Sequence, residues 1–367
     1  MTPQHRATDW APDNAVSRDG PEGVASQTGA LVGSAGGRRR KGRRRKGGAE
    51  PSMVPEAEFT SYYGRPIVKP SPWEADIPAY LFAGGLAAGS SLIAAGADVT
   101  GRPVLRRTGR LAALGALSFS MAALVHDLGK PSRFTNMLRT AKPTSPMSVG
   151  TWILSTYGPF AGLAAAAEVT SLLPEQVRSR GPLRLVGLLG RPAGLMAAVC
   201  APPVAAYTAV LLSDTATPSW HSAYKELPFV FVGSASAAAA GVGMITAPTH
   251  ETGPVRRMAA AGALLELAME QRMERSMGVT AEPLHHGKAG RLMRAAKVLT
   301  AAGAAGTLVA GRSRALAAAS GAALVLGSAC TRFGVFEAGQ ESAKDPKYTV
   351  VPQRERLERE GPVRYQP

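Results

Sequence analysis

The chain has 367 residues, 45% of them apolar, with 42 Lys or Arg against 26 Asp or Glu and a formal charge of +16. Its two cysteines, Cys200 and Cys330, exclude a four-thiolate iron–sulfur cluster and a disulfide-stapled scaffold. The basic excess suggests nucleic acid, but much of it lies in RRRKGRRRK at 38–46 and in short segments between apolar blocks. There basic residues set orientation and meet anionic membrane lipids, and with no folded binding module beside them no nucleic-acid partner is expected.

A mean hydropathy near zero averages two unlike parts. Residues 1–60 are polar, rich in Gly, Ser and Pro, and read as a disordered polybasic tail without the apolar core of a signal peptide. From 61 to 334 the sequence is mostly Ala, Gly, Leu and Val in blocks of 16 to 25 residues. About 20 such residues cross a hydrocarbon layer of roughly 30 Å. Most blocks lack the charged stripe of a soluble amphipathic helix. The expected fold is an all-α integral membrane protein, a polytopic bundle of about eight transmembrane helices, multi-pass in the cell membrane.

The first span is expected at 78–98, where Gly84, Gly85, Ala88 and Gly89 make a face that another helix or a flat ligand can approach closely. Asp76 precedes it and shares a helix face with Tyr80 at i+4. A carboxylate and a phenol at the lipid boundary can hydrogen-bond a quinone carbonyl and exchange its proton. Alternatively, Asp76 caps the helix ahead of Pro78. The second span, 109–125, runs into His126-Asp127, which either exchanges protons or anchors the helix end. Lys130, Arg133, Arg139 and Lys142 follow in a dense polar segment and suit phosphates or a docked acidic subunit. Ser145, ahead of Pro146, and Ser148 read as caps for the third span at 149–173, which carries Trp152, Tyr157 and Glu168.

Pro202 and Pro203 interrupt the fourth span, 192–212, so a kink and unpaired carbonyls are expected there. The fifth span is 229–247, and the sixth, 255–270, is short and acidic, with Glu266 and Glu270. The segment 271–294 holds His285, His286 and Lys288, and the last spans are 295–310 and 315–331, followed by a C-terminal tail over 335–367. Eight crossings put the termini on one face, together with Asp76, His126, Asp127, His221, Tyr224, Lys225, Glu226, His285, Lys288, Arg332 and Glu337. The opposite face receives shorter, arginine-rich connections. One face is chemically equipped, and the other reads as an anchor.

No histidine falls in the middle of a span, so no haem is expected, and no thiolate cluster or Walker-type glycine loop is present. AYLFAGGLAAGS at 79–90, HDLGKPSRFTNMLRTAKPTSPMSVGTW at 126–152, HHGKAGRLMRAAKVL at 285–299 and TRFGVFEAGQESAKDPKYTVVPQR at 331–354 resemble the NrfD/PsrC family. These are the membrane subunits of polysulfide reductase-like oxidoreductases, and the resemblance spans about 65–355. It implies an eight-helix subunit with no prosthetic group of its own, neither haem nor iron–sulfur cluster, that binds menaquinone or ubiquinone. It also implies a ferredoxin-like iron–sulfur partner and a molybdopterin catalytic subunit holding Mo or W. The quinone site implied lies at the start of the first helix, here Asp76 and Tyr80, with Gly84, Gly85, His126 and Asp127 nearby. Where relatives carry His or Asn near that start, this chain has Asp76, Ile77 and Ala79. Lys130, Arg133, Arg139, Lys142, His285 and Lys288 are the candidate docking residues. An ion-coupled transporter using Glu168, Glu266 and Glu270, or a purely structural anchor, are the competing functions. Against the transporter, the two halves show no evident repeat.

Overall fold

The backbone of this chain enters its first helix only after a proline-rich lead-in, and from there regular structure is helical throughout the described residues. The computed structural model describes residues 66–360 apart from Pro131 and Arg180, so the polybasic tail expected at 1–60 lies outside the described residues. The described residues from Ile67 onward form one compact unit.

In chain order the helices are α1 (Asp76–Val99), α2 (Pro103–Asp127), α3 (Arg133–Leu138), α4 (Pro146–Thr170), α5 (Glu175–Arg178) and α6 (Gly181–Ser213). Then come α7 (Pro218–Ser222), α8 (Leu227–Thr246), α9 (Gly253–Met277), a 3-10 turn Gly278–Leu284, α10 (Gly287–Gly306), α11 (Arg314–Lys344) and α12 (Lys347–Glu360). Proline opens α2, α4, α7, α8 and α9 in the first turn, where its missing N–H costs no helical bond. Gly278, at φ +58°, supplies the left-handed step that turns the chain out of α9.

α1, α2, α6, α8 and α11 are long and apolar enough to cross a membrane. The other long helices, α4, α9 and α10, have 25, 25 and 20 residues. α1, α2, α4 and α6 pack as one group, α8 to α11 as a second, and α1 and α6 against α8 join them. The seam is built of small side chains. A Cβ on Gly89 would lie 2.6 Å from Ala239 Cβ and 2.8 Å from the Ala235 carbonyl, so glycine there lets α1 and α8 approach closely.

Several helices run past the limits expected from hydropathy, among them α2 from Pro103 rather than 109 and α6 from Gly181 rather than 192. α9 continues from 270 to Met277 and α10 begins at Gly287 rather than 295. α11 passes straight through Arg332 to Lys344, because Arg332 is buried by its neighbours instead of marking a water boundary. Most of the segment expected as a C-terminal tail is thus helical, in α11 and α12. α6 stays a single helix through Pro192, Pro202 and Pro203, although those last two prolines deprive the Ala198 and Val199 carbonyls of their donors.

Candidate functional site

At the end where α1 starts and α11 finishes, several chain segments are tied together by side chains. Gln340 Nε2 of α11 donates to the carbonyls of Ser71 and Trp73 at 3.1 and 3.0 Å. Trp73 stacks on Trp220 with ring centroids 6.0 Å apart, and Trp220 lies 5.5 Å from Phe336 and donates to the Val335 carbonyl at 2.8 Å. These contacts fix the strand of chain that delivers Asp76 to the first position of α1.

Asp76 does not cap that helix: Ala75 occupies the N-cap and no side-chain cap bond is made. Its Oδ2 accepts instead from His126 Nδ1 at 2.8 Å, joining the start of α1 to the end of α2. The imidazole is 81% exposed and the carboxylate 35%, so the pair faces water. Asp127 lies within the electrostatic reach of Asp76, Glu74 and His126. The sequence-derived acid–imidazole group is therefore brought together in space.

One turn deeper, the buried Tyr80 hydroxyl hydrogen-bonds the hydroxyl of Tyr207 on α6. The Tyr80 carbonyl accepts from Ser120 of α2 at 3.1 Å, and Tyr157 of α4 donates to the Ala87 carbonyl at 2.9 Å. Tyr157 is thus wholly buried in the bundle rather than part of an interfacial belt, while Trp152 is exposed. Gly84 and Gly85 are covered. A Cβ on Gly84 would lie 3.5 Å from Ser120 Oγ, and one on Gly85 3.1 Å from Ala235 Cβ and 3.3 Å from Arg332 Nη2. Small residues admit helices as readily as flat ligands, and here helices fill the space.

Two cavities flank α4 at this end. The larger, about 490 Å³, lies between the 141–143 loop, α4 and the proline-interrupted stretch of α6, and is lined by Lys142, Trp152, Ile153, Val199, Cys200 and Pro203 among others. Ser148 shapes its rim, donating to the Thr140 carbonyl at 2.8 Å and accepting from the Lys142 amide at 2.9 Å, while Ser145 caps by position without a side-chain bond. The smaller, about 230 Å³, sits between α2 and α4 under Phe134, beside Met121 and Leu124. The Tyr207 ring is seated on Gly150 of α4. Nothing in the local sequence marks Tyr207, which stands in an apolar run like any core tyrosine.

Lys130, Arg133, Arg139 and Lys142 are all exposed, and none pairs with a carboxylate among the described residues. Lys288 does pair, with Glu337 at 2.5 Å, and His285 Nε2 stands 3.9 Å from Glu274. On α12, Lys347 meets Glu282 at 2.6 Å, and burial beside that carboxylate pushes the Tyr348 phenol up to about 12.

The opposite end is a closed ionic lock. Glu168, 2% exposed, meets Arg106 at 2.7 Å and Arg110 at 3.1 Å, while Asp98 meets Arg110 at 3.3 Å and Arg191 at 3.5 Å. Glu251 accepts the Leu105 amide at 2.8 Å at the N-terminus of α2. Arg314 caps the C-terminus of α8 through the Met244 and Ala247 carbonyls at 2.7 and 2.8 Å. Glu168, a proton-path candidate by sequence, is held among arginines at this end.

A polytopic all-helical bundle with one water-facing acid–imidazole end and one ion-locked end has the build of a multi-pass membrane subunit. The family model described as polysulphide reductase, NrfD, matches residues 67–278, and the chain belongs to this family. The matched segment takes in α1 to α9, with Asp76, Tyr80, His126, Asp127 and Tyr207, and leaves the Gln340, Val335 and Phe336 supports on α11 outside it. None of the curated proteins compared with the chain matches it.

Proposed function

We propose that this chain is the quinone-reactive membrane subunit of a multisubunit oxidoreductase, crossing the cell membrane with its eight long helices. The observation that carries the reading is the Asp76–His126 pair, 2.8 Å apart at the water-facing junction of α1 and α2, directly above the buried Tyr80–Tyr207 pair. A quinone headgroup reaching this junction from the lipid meets a carboxylate and an imidazole in contact with bulk water. Reduction takes two electrons and two protons per ring, and oxidation returns them. The electrons pass to or from a docked iron–sulfur protein and its molybdopterin partner, and the protons exchange with Asp76, His126 and Asp127. This needs positioning and proton exchange alone, with no covalent step. The exposed Lys130, Arg133, Arg139 and Lys142 suit an acidic docking face.

Asp76→Asn tests the reading, because it keeps the side-chain shape and an acceptor for His126 while removing the titratable group. Quinone-linked turnover of the assembled complex is expected to fall at least about tenfold, as for loss of a positioned acid or base. Transfer to a soluble artificial acceptor is expected to be unchanged. Normal quinone turnover in a normally assembled variant would return Asp76 to a structural role.

A further inference from the structure

α9 carries Glu266, Glu270 and Glu274 at four-residue intervals, which puts the three carboxyl groups on one helix face about 6 Å apart along the axis. The face leads inward. Glu274 is 17% exposed, whereas Glu270 and Glu266 are each 1% exposed. Lys297 of α10 bridges the outer two, 2.7 Å from Glu274 and 3.7 Å from Glu270, and His285 stands 3.9 Å outside Glu274. At the inner end Glu266 accepts from Thr331 at 2.6 Å and Thr300 at 3.5 Å, next to the Ser234–Ser328 bond of 2.8 Å. Beside it Arg332 is wholly buried, its Nη2 donating to the Phe231 carbonyl at 2.7 Å and its guanidinium 3.7 Å from the Phe231 ring centroid.

Two features set this ladder apart from a structural ion pair. Its bonds are incomplete: Glu270 Oε1 and Arg332 Nε and Nη1 are buried without hydrogen-bond partners. Such groups are costly unless water or a proton satisfies them. Its charges are also unequal: among the described residues Glu266, Glu270 and Glu274 face Lys297 and Arg332 inside the rim. One carboxyl is in excess, a charge that a bound proton would balance. Towards the other end the buried residues of α9 are Ala263, Gly262, Ala259 and Val255, none of them titratable, and the half-buried Arg256 beyond donates to the Thr307 carbonyl at 3.5 Å.

We propose that Glu266 and Glu270 form a proton-binding site within the helix bundle, loaded through His285 and Glu274 from the aqueous side on which α12 lies. The proton leaves the rim imidazole or the Glu274 carboxyl, is taken by the Glu270 carboxylate, and passes to Glu266, each donor being reprotonated from outside, with Arg332 keeping its charge throughout. The site stands independently of the quinone reading.

The test is infrared difference spectroscopy of the full chain in vesicles during a pH step applied on one side at a time. The expected result is a deuterium-sensitive carbonyl band of a protonated carboxyl, answering a step on the α12 side and lost in Glu266→Gln or Glu270→Gln. Glu274→Gln is expected to keep the band and slow its exchange at least about tenfold, since it removes a relaying acid. In the unsubstituted chain, a lipid-soluble carbodiimide should label Glu266 or Glu270, which covers the case of a glutamine variant that does not fold. Absence of both band and label, persistence of the band in both variants, or a response to the opposite side overturns the proposal.

Discussion

Glu168 shows how burial separates a carboxylate that holds structure from one that moves protons. It accepts from Arg106 and Arg110 while 2% exposed, and Arg107 approaches within 3.8 Å, so its charge is fully answered. Glu168→Gln would leave buried Arg110 with Asp98 alone, at a cost below the about 3–5 kcal/mol of a buried charge left with no partner. We expect a lower melting temperature in detergent and unchanged quinone turnover per assembled complex. Lost turnover at full stability would place Glu168 on a proton route instead. Tyr207→Phe belongs to the same scale. It strips the buried Tyr80 hydroxyl of its partner, an unsatisfied group costing about 1–3 kcal/mol, and should lower thermal stability measurably, whereas no change would deny the bond any weight. At this scale Asp76 and His126 were legible because polar residues flanking apolar blocks stand out, and their meeting was not surprising once α1 and α2 were antiparallel neighbours. Tyr207 and Gln340 were not legible, because what each does depends on a residue more than 100 positions away.

Among elements, the sequence speaks clearly where a helix is uniformly apolar and poorly where a polar residue is buried inside one. The first five expected spans all fall on helices, α1, α2, α4, α6 and α8, although α2 starts at Pro103 rather than 109 and α6 at Gly181 rather than 192. The hydropathy limit at 331 failed for α11 because Arg332 is sheltered by Phe231 and Glu266, residues of α8 and α9 that local composition cannot see. Helix seams raise the same issue in glycines. Gly89 and Gly96 look alike in sequence, yet a Cβ at Gly89 collides with Ala239 and Ala235 while one at Gly96 meets nothing within 4 Å. Gly89→Ala should therefore destabilise the purified chain by about 1–3 kcal/mol through overpacking of α1 on α8. Gly96→Ala should leave it unchanged or raise it by about 0.5–1 kcal/mol through helix propensity. Equal melting temperatures for the two variants would contradict the close α1–α8 contact.

For the whole molecule, the placement of the described histidines bears on the proposed electron route. Two axial ligands facing each other within the bilayer are the usual requirement of a membrane haem. The five described histidines all stand at helix ends or in connections: His126 at the end of α2, His221 in α7, His250 in the turn before α9, and His285 and His286 ahead of α10. Three already have neighbours, His126 with Asp76, His221 Nδ1 with the Ser213 carbonyl at 3.0 Å, and His285 with Glu274. Cys200 and Cys330 sit on α6 and α11 as free thiols, one in each helix group. This placement fits the proposal that electrons reaching this chain go to a quinone and that the metal centres belong to docked partners. Purified free of other subunits, the chain should be colourless and carry quinone at most. A Soret band with stoichiometric iron in that preparation would assign it a haem of its own and require a different electron route through the bundle.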